Sequence, residues 1–276
     1  MIEVLLSTMN QNNLSFLDEI NANTNILVIN QTDKEDYLEI QKNNKTVRMI
    51  SCSDRGISKS RNLAIKNSIG DICVLCDDDV RYVDEFEAIV KEAFNNLPNA
   101  DLIVFNISQM NSRYSTEKQI TKVHKVPIYK SYGSVRIAFR KESILENNIW
   151  FNEKFGTGSG MYSMAEDSLF LREARRKRLK IYAYPKKIAN VDFSTSTWFK
   201  GYDKKYFYDI GAFLSAAYPV LKYILIFYYP FRMKNMTDLT SYEIICLIQR
   251  GFYGYKKKIS YDEMECELNK YDVEKK

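Results

Sequence analysis

Histidine is nearly missing from this chain. His124 is the only one in 276 residues, and it stands in a lysine-rich, strand-like stretch with no carboxylate or cysteine at metal-ligand spacing. It reads as a solvated or structural side chain, not a zinc ligand. Cysteine is scarce as well: five, at positions 52, 73, 76, 246 and 266. An odd number argues against a disulfide framework and for a reduced, cytosolic compartment. Cys73 and Cys76 have the spacing of half a zinc site, but no second pair follows and both lie in an apolar run, so they read as core residues. A basic leader followed by a long apolar stretch is also lacking; the chain opens on the strand-like Ile2 to Leu6, and no secretory signal is expected. There is no internal repeat, low-complexity tract or proline-rich linker. Charge of one sign is not in large excess, with 40 basic against 35 acidic residues and a net +5. No basic stripe of the kind that binds nucleic acid is therefore expected.

What is present is enough apolar sequence, 45%, for an ordinary buried core. Short β-rich runs recur at Ile2 to Leu6, Ile26 to Ile29, Val47 to Ile50, Ile72 to Leu75 and Leu102 to Phe105, with helix-like segments between the early ones. Runs that are apolar throughout predict strands covered by helices on both faces. The fold class expected is α/β, with a mostly parallel central sheet whose ligands gather at the C-terminal strand edges. Ile120 to Ile128 and Val135 to Phe139 read as further strands. A loop with Gly156, Gly158 and Gly160 then leads into a polar helix. From about Tyr202 the chain reads as long helices. The expected division is 1–200, split into a nucleotide-sugar half (1–110) and an acceptor half (111–200), with a helical extension over 201–276.

Three segments carry chemistry. Asp77-Asp78-Asp79 follows the buried strand Ile72 to Leu75, and three consecutive carboxylates repel one another unless they are solvated or bound to a cation. Oxygen donors of this hardness select Mg²⁺ or Mn²⁺; a solvated acidic turn is the alternative. Upstream, Gly56-Ile57-Ser58-Lys59-Ser60-Arg61-Asn62 opens a helix, where backbone N–H groups, the helix dipole and Arg61 suit an anion. Downstream, Glu166-Asp167 begins another helix. Its dipole favours an ionised Asp167, ready to accept a proton, while Ser163 and Glu166 have the spacing of a capping box.

Taken in order, the glycine-to-Arg-Asn helix start, Gly70-Asp71, the acidic strand end and the Glu-Asp pair resemble the motifs of the family 2 glycosyltransferases, with the GT-A fold, over about residues 2 to 195. The resemblance implies an inverting, metal-dependent transfer of a sugar from a nucleotide-sugar, foremost a UDP-sugar, to a glycan or lipid-linked glycan acceptor in bacterial surface polysaccharide synthesis. It implies Asp167 as the general base. Donor contacts fall to Thr8, Gly56, Arg61, Asp77 and Asp78, with Asn30 or Asp33 in place of the aspartate that often ends strand two. Mn²⁺ or Mg²⁺ falls to Asp77 and Asp79. Asp192 stands where relatives often carry a metal-side histidine, and is either a substitute ligand or a plain loop residue. A sugar nucleotidyltransferase and a non-catalytic nucleotide- or partner-binding homologue are the rival readings.

Three side features remain. Tyr162 and Trp198 are candidates for stacking on sugar rings, with core packing the ordinary alternative. The basic run Arg172, Arg175, Arg176, Lys177, Arg178 and Lys180 reads as a solvated helix end. Ala212 to Phe231 is long and apolar, but Lys222, Pro219 and Pro230 argue against a span. It reads either as an interfacial helix, making the protein peripheral on the cytoplasmic face of the inner membrane, or as a buried or homo-oligomer-forming helix.

Overall fold

The computed structural model describes residues 1–42, 44–110, 119–192 and 201–266. Trp198, with Phe193 to Thr197 before it, lies outside the described residues. In chain order the elements are β1 (Ile2–Met9), α1 (Leu17–Ile20), β2 (Asn25–Gln31), β3 (Asp36–Lys42), β4 (Lys45–Cys52), α2 (Ile57–Asn67), β5 (Ile72–Asp77), β6 (Val80–Tyr82), α3 (Phe86–Asn96), β7 (Leu102–Met110) and β8 (His124–Lys125). There follow a 3₁₀ turn (Ser134–Arg136), β9 (Ile137–Arg140), α4 (Lys141–Glu146), α5 (Glu166–Arg176), β10 (Ile181–Asp192), α6 (Lys204–Ala217), α7 (Lys222–Leu225), α8 (Tyr228–Met233) and α9 (Ser241–Lys257).

The strands form one sheet in the order β3-β4-β2-β1-β5-β9-β7-β10-β6, with β8 paired to β10. Its centre, β4-β2-β1-β5, is parallel, as is β7 with β10. β9 runs antiparallel between β5 and β7. The chain divides into two compact units, Met1–Phe151 with Phe170–Ser196, and Asn152–Leu169 with Thr197–Lys276.

In the first unit the alternation of side chains along β1 builds both faces of the core. Val4 and Leu6 pack with Phe86, Val90, Ala93 and Phe94 of α3. Leu5 packs on the other face with Ala64 and Ile65 of α2. Cys73 and Cys76 are buried and free, and burial pushes the Cys73 thiol up to about 12, as expected of core cysteines. The buried Glu3 carboxylate binds Arg48 at 2.7 Å and accepts the N–H groups of Ile69 and Gly70 at 2.6 and 3.0 Å. Gly70 is needed there because a Cβ would lie 2.6 Å from the Glu3 Cβ.

In the second unit α6 and α9 meet at glycines. A Cβ on Gly211 would lie 2.2 Å from the Ile248 carbonyl oxygen, and one on Gly251 would lie 2.1 Å from that of Tyr208. The two backbones therefore approach more closely than any larger residue permits. The rest of the seam is apolar, with Phe207, Ile210 and Leu214 against Ile244, Leu247 and Ile248.

Several expectations are corrected. No helix joins β2 to β4: the connection is β3, antiparallel to β4, and every residue of β3 is exposed, so no buried stripe announces it. Of Ile120 to Ile128 only His124–Lys125 pairs as strand. Ile120 is held instead by a side chain, its N–H and carbonyl bonding the Asn106 amide at 2.8 and 2.9 Å. The run from Val135 begins as a 3₁₀ turn that buries Arg136, whose Nε donates to the Phe105 carbonyl at 2.7 Å. Ser163 does not cap α5, which starts at Glu166 after Ala165 at φ +79°; the Ser163 N–H donates to Asp209 at 2.9 Å. Ala212 to Phe231 is not one helix but the end of α6, all of α7 and the start of α8, broken at Pro219. Among the described residues no helix is long and apolar enough to cross a membrane.

Candidate active site

The parallel strands β4, β2, β1 and β5 all end at one edge of the sheet, and their register lines up the polar residues there. Thr8 pairs with Asn30, Asn30 with Ser51, and Ser7 with Asp77. A parallel sheet thus delivers Thr8, Asn30 and the acidic turn Asp77–Asp79 to one rim, where open α/β sheets bind their ligands.

Helix α2 starts on the same rim at Gly56, whose φ of +114° is a conformation side chains disfavour. The Gly56 N–H donates to Gln31 Oε1 at 2.7 Å, and Ser60 Oγ donates to Ser7 Oγ at 2.8 Å. These two bonds moor the helix start to β2 and β1. Arg61, buried at 3% exposure, reaches both Asp77 carboxylate oxygens through Nη2 at 3.1 Å each. Its guanidinium also lies 5.4 Å from the centre of the Phe151 ring. Asn62 exchanges two hydrogen bonds with the Phe151 backbone, at 3.0 and 2.8 Å, and Phe151 stacks on Phe170 of α5 at 4.2 Å. The Arg-Asn pair thus has divided duties, Arg61 holding the acidic turn and Asn62 holding the chain segment next to α5.

The three aspartates differ. Asp77 is paired with Arg61. Asp78 accepts from Thr8 Oγ1 at 2.7 Å. Asp79 has no such donor: its Oδ1 is buried without a hydrogen-bond partner. Burial first, then the negative charges of Asp77, Asp78 and Asp192, push its carboxyl up to about 7. Asp192 is brought alongside by the pairing of β10 with β6, and its N–H donates to the Asp79 carbonyl at 3.1 Å.

An orphaned, buried carboxylate oxygen with like charges around it fits a divalent cation. Among the described residues no three His, Cys, Asp or Glu side chains form a ready-made cage. Mg²⁺ and similar ions do not need one, because one or two carboxylates, waters and substrate phosphates complete the shell.

Asn30 and Asp33 are in different situations. Asn30 is buried and occupied, accepting from the Gln11 N–H at 2.9 Å and donating to the Gln11 carbonyl and to Ser51. Asp33 lies at the exposed end of the same stretch, paired with Arg55. Asp167 is the second residue of α5, in its acidic first turn, and belongs to the second unit, as does Tyr162, which is buried against Phe155. His124 Nδ1 lies 2.9 Å from the Lys122 carbonyl oxygen and donates to it in the tautomer protonated at Nδ1.

The sequence reading missed Gln31, Gln11, Ser7 and Phe151. A glutamine at a strand end facing a helix-opening glycine is a signal for Gln31; the others depend on register and leave no local trace.

The model of the family described as Glycosyl transferase family 2 matches residues 3–168. The chain belongs to that family. This glycosyltransferase-family chain also resembles solved structures of S. aureus TarS. The 1–349 form in complex with UDP-GlcNAc superposes with a TM-score of 0.59 at 17% identity, covering 95% of this chain and 77% of that one. The complex with UDP gives 0.56 at 16% identity, covering 95% and 76%. Against the longer TarS structure the TM-score is 0.56 at 16% identity, and this chain spans 44% of its length. At such identities the likeness speaks for the GT-A fold. No curated protein sequence matches the family 2 chain at a significant level.

Proposed function

We propose that this family 2 chain transfers a sugar from a UDP-sugar to a glycan or lipid-linked glycan acceptor, with inversion and with a divalent cation. The observation that carries the reading is the rim of Thr8, Gly56, Arg61 and Asp77–Asp79 on the parallel strand ends. The UDP and UDP-GlcNAc bound to the TarS neighbours support the choice of nucleotide. Family membership over 3–168 favours sugar transfer over nucleotidyl transfer.

The roles follow from the chemistry of each group. The α2 start, with its dipole and the nearby Arg61 charge, favours the donor diphosphate. Asn30 braces the loop after β1, leaving Asp33 the more accessible of the two for the nucleoside. Asp79, with Asp77 and Asp192, would hold Mn²⁺ or Mg²⁺, which would supply positive charge to the departing diphosphate. Asp167 takes the proton from the acceptor hydroxyl as its oxygen bonds to the anomeric carbon and the bond to the diphosphate breaks. Attack opposite the leaving group inverts that carbon. The surroundings proposed are the cytoplasm and bacterial surface polysaccharide synthesis.

Titration calorimetry with UDP, dTDP and GDP, each with and without Mn²⁺, tests the reading without knowledge of the acceptor. Metal-dependent binding of UDP is expected. Binding of none would shift the assignment to a non-catalytic homologue.

A further inference from the structure

We propose that the second unit docks on an anionic lipid bilayer through the outer face of residues 220–236. This goes beyond sugar transfer and does not depend on it. The segment is apolar on two sides. Ile226 and Pro230 face inward, and Leu225, Tyr229 and Met233 pack beside Ile226 on the α6–α9 core. The outer residues lie open: Val220 is 80% exposed, Ile224 71%, Phe227 64% and Phe231 87%, with Leu221, Tyr223 and Tyr228 also more than half exposed.

Ile226 and Phe227, which link α7 to α8, keep right-handed helical dihedrals. Ile224, Phe227, Tyr228 and Phe231 therefore follow the i, i+3, i+4, i+7 spacing of one helical stripe, turned to solvent instead of to a core. A soluble surface rarely leaves so many large apolar side chains together without something to cover them.

Charge identifies the cover. Residues 210–237 contain Lys222, Arg232 and Lys234 and no aspartate or glutamate. Lys222 sits 4.6 Å from the ring of Phe252 on α9, and Lys256 follows Phe252 by one helical turn. A second copy meeting this face about a two-fold axis would set these bases against themselves with no carboxylate from residues 210–237 to offset them. Phosphate headgroups supply the missing negative charge, and the phenylalanine and tyrosine rings suit the boundary between headgroups and acyl chains. The two turns would lie in the plane of the surface, not cross it.

Flotation of the full chain with vesicles tests this, using phosphatidylcholine alone and phosphatidylcholine mixed with phosphatidylglycerol. Binding to the anionic vesicles, weakened by salt, is expected. Phe227→Ser with Phe231→Ser should lower the partition by about tenfold or more, and Arg232→Gln or Lys234→Gln by about fivefold each. UDP binding by calorimetry and an unchanged circular dichroism spectrum serve as controls for folding. No flotation at low salt, or equal flotation of the double phenylalanine variant, overturns the proposal. So does a concentration-dependent dimer, abolished by the same two substitutions, in a protein that ignores vesicles; that outcome assigns the face to a second copy.

Discussion

The Asp192 N–H donates to the Asp79 carbonyl at 3.1 Å, so backbone geometry fixes the last residue of β10 beside the acidic turn. Two residues 113 positions apart, by the difference of their numbers, are thus held together although their carboxylates repel. Such crowding has a measurable consequence.

Asp79 is pushed from its ordinary 3.8 up to about 7, by burial first and then by Asp77 and Asp78. Between those values the folded protein holds a proton that the unfolded chain releases. Stability of the metal-free protein is therefore fully present below pH 3.8 as far as this group is concerned, and is lost as pH rises through 7. The ceiling is about 1.4 kcal/mol for each pH unit of that window, and solvent around the turn will reduce it. Urea unfolding in EDTA at several pH values should show the decline, Asp79→Asn should flatten it, and Mn²⁺ should raise the melting temperature more at pH 8 than at pH 6. Identical profiles for the wild type and Asp79→Asn would mean that Asp79 titrates normally.

Arg61 is the countercharge to Asp77 at the same rim. Arg61→Met removes it and leaves Asp77, which is partly exposed, without its partner. A loss of about 1–3 kcal/mol is expected, together with weaker UDP binding. Adding Asp77→Asn to Arg61→Met should recover part of the stability, because the unpaired charge goes with it. A double variant as unstable as the sum of the two singles would show that the pair is not coupled.

The central strands, the helix that starts at Gly56 and the acidic turn were legible in the sequence because each is a local pattern: an apolar run, a glycine before a helix, carboxylates after a strand. That Asp192 comes beside Asp79 was reached only through the family resemblance, since no local pattern tells which strands are neighbours. β3 was missed because Asp36–Lys42 buries nothing, and hydrophobic periodicity reports only burial. The Gly70-Asp71 step was read as a family feature; the structure gives the glycine a physical reason in its contact with Glu3.

That contact predicts its own sensitivity. Glu3→Ala strands the buried Arg48 and two backbone N–H groups, and a loss of about 3–5 kcal/mol is expected. Gly70→Ala pushes a methyl group into Glu3 and should cost about 1–3 kcal/mol. Denaturant midpoints measure both. A Gly70→Ala protein as stable as the wild type would mean the loop yields without strain.

Gly251→Ala tests the second unit alone. Its new Cβ would fall 2.1 Å from a backbone oxygen, which has no rotamer to escape into, so α6 and α9 must separate and open the seam around Ile248. A melting temperature lowered by several degrees is expected, with earlier loss of the helical signal. If the melting temperature is unchanged, the two helices do not depend on this close approach.

Asp167→Asn separates binding from chemistry. The amide is nearly the size of the carboxylate and keeps a polar group in the first turn of α5, so fold and UDP affinity should persist. It cannot take up a proton from an acceptor hydroxyl, and general-base catalysis typically contributes about 10²- to 10⁴-fold. Turnover should fall by that factor with little change in the apparent affinity for the donor, since the lost interaction exists only as the proton moves. Hydrolysis of the UDP-sugar by water offers a readout before the acceptor is known, and it should fall in parallel. A variant that hydrolyses its donor and transfers sugar at the wild-type rate would take Asp167 out of the reaction and leave the base to be sought elsewhere.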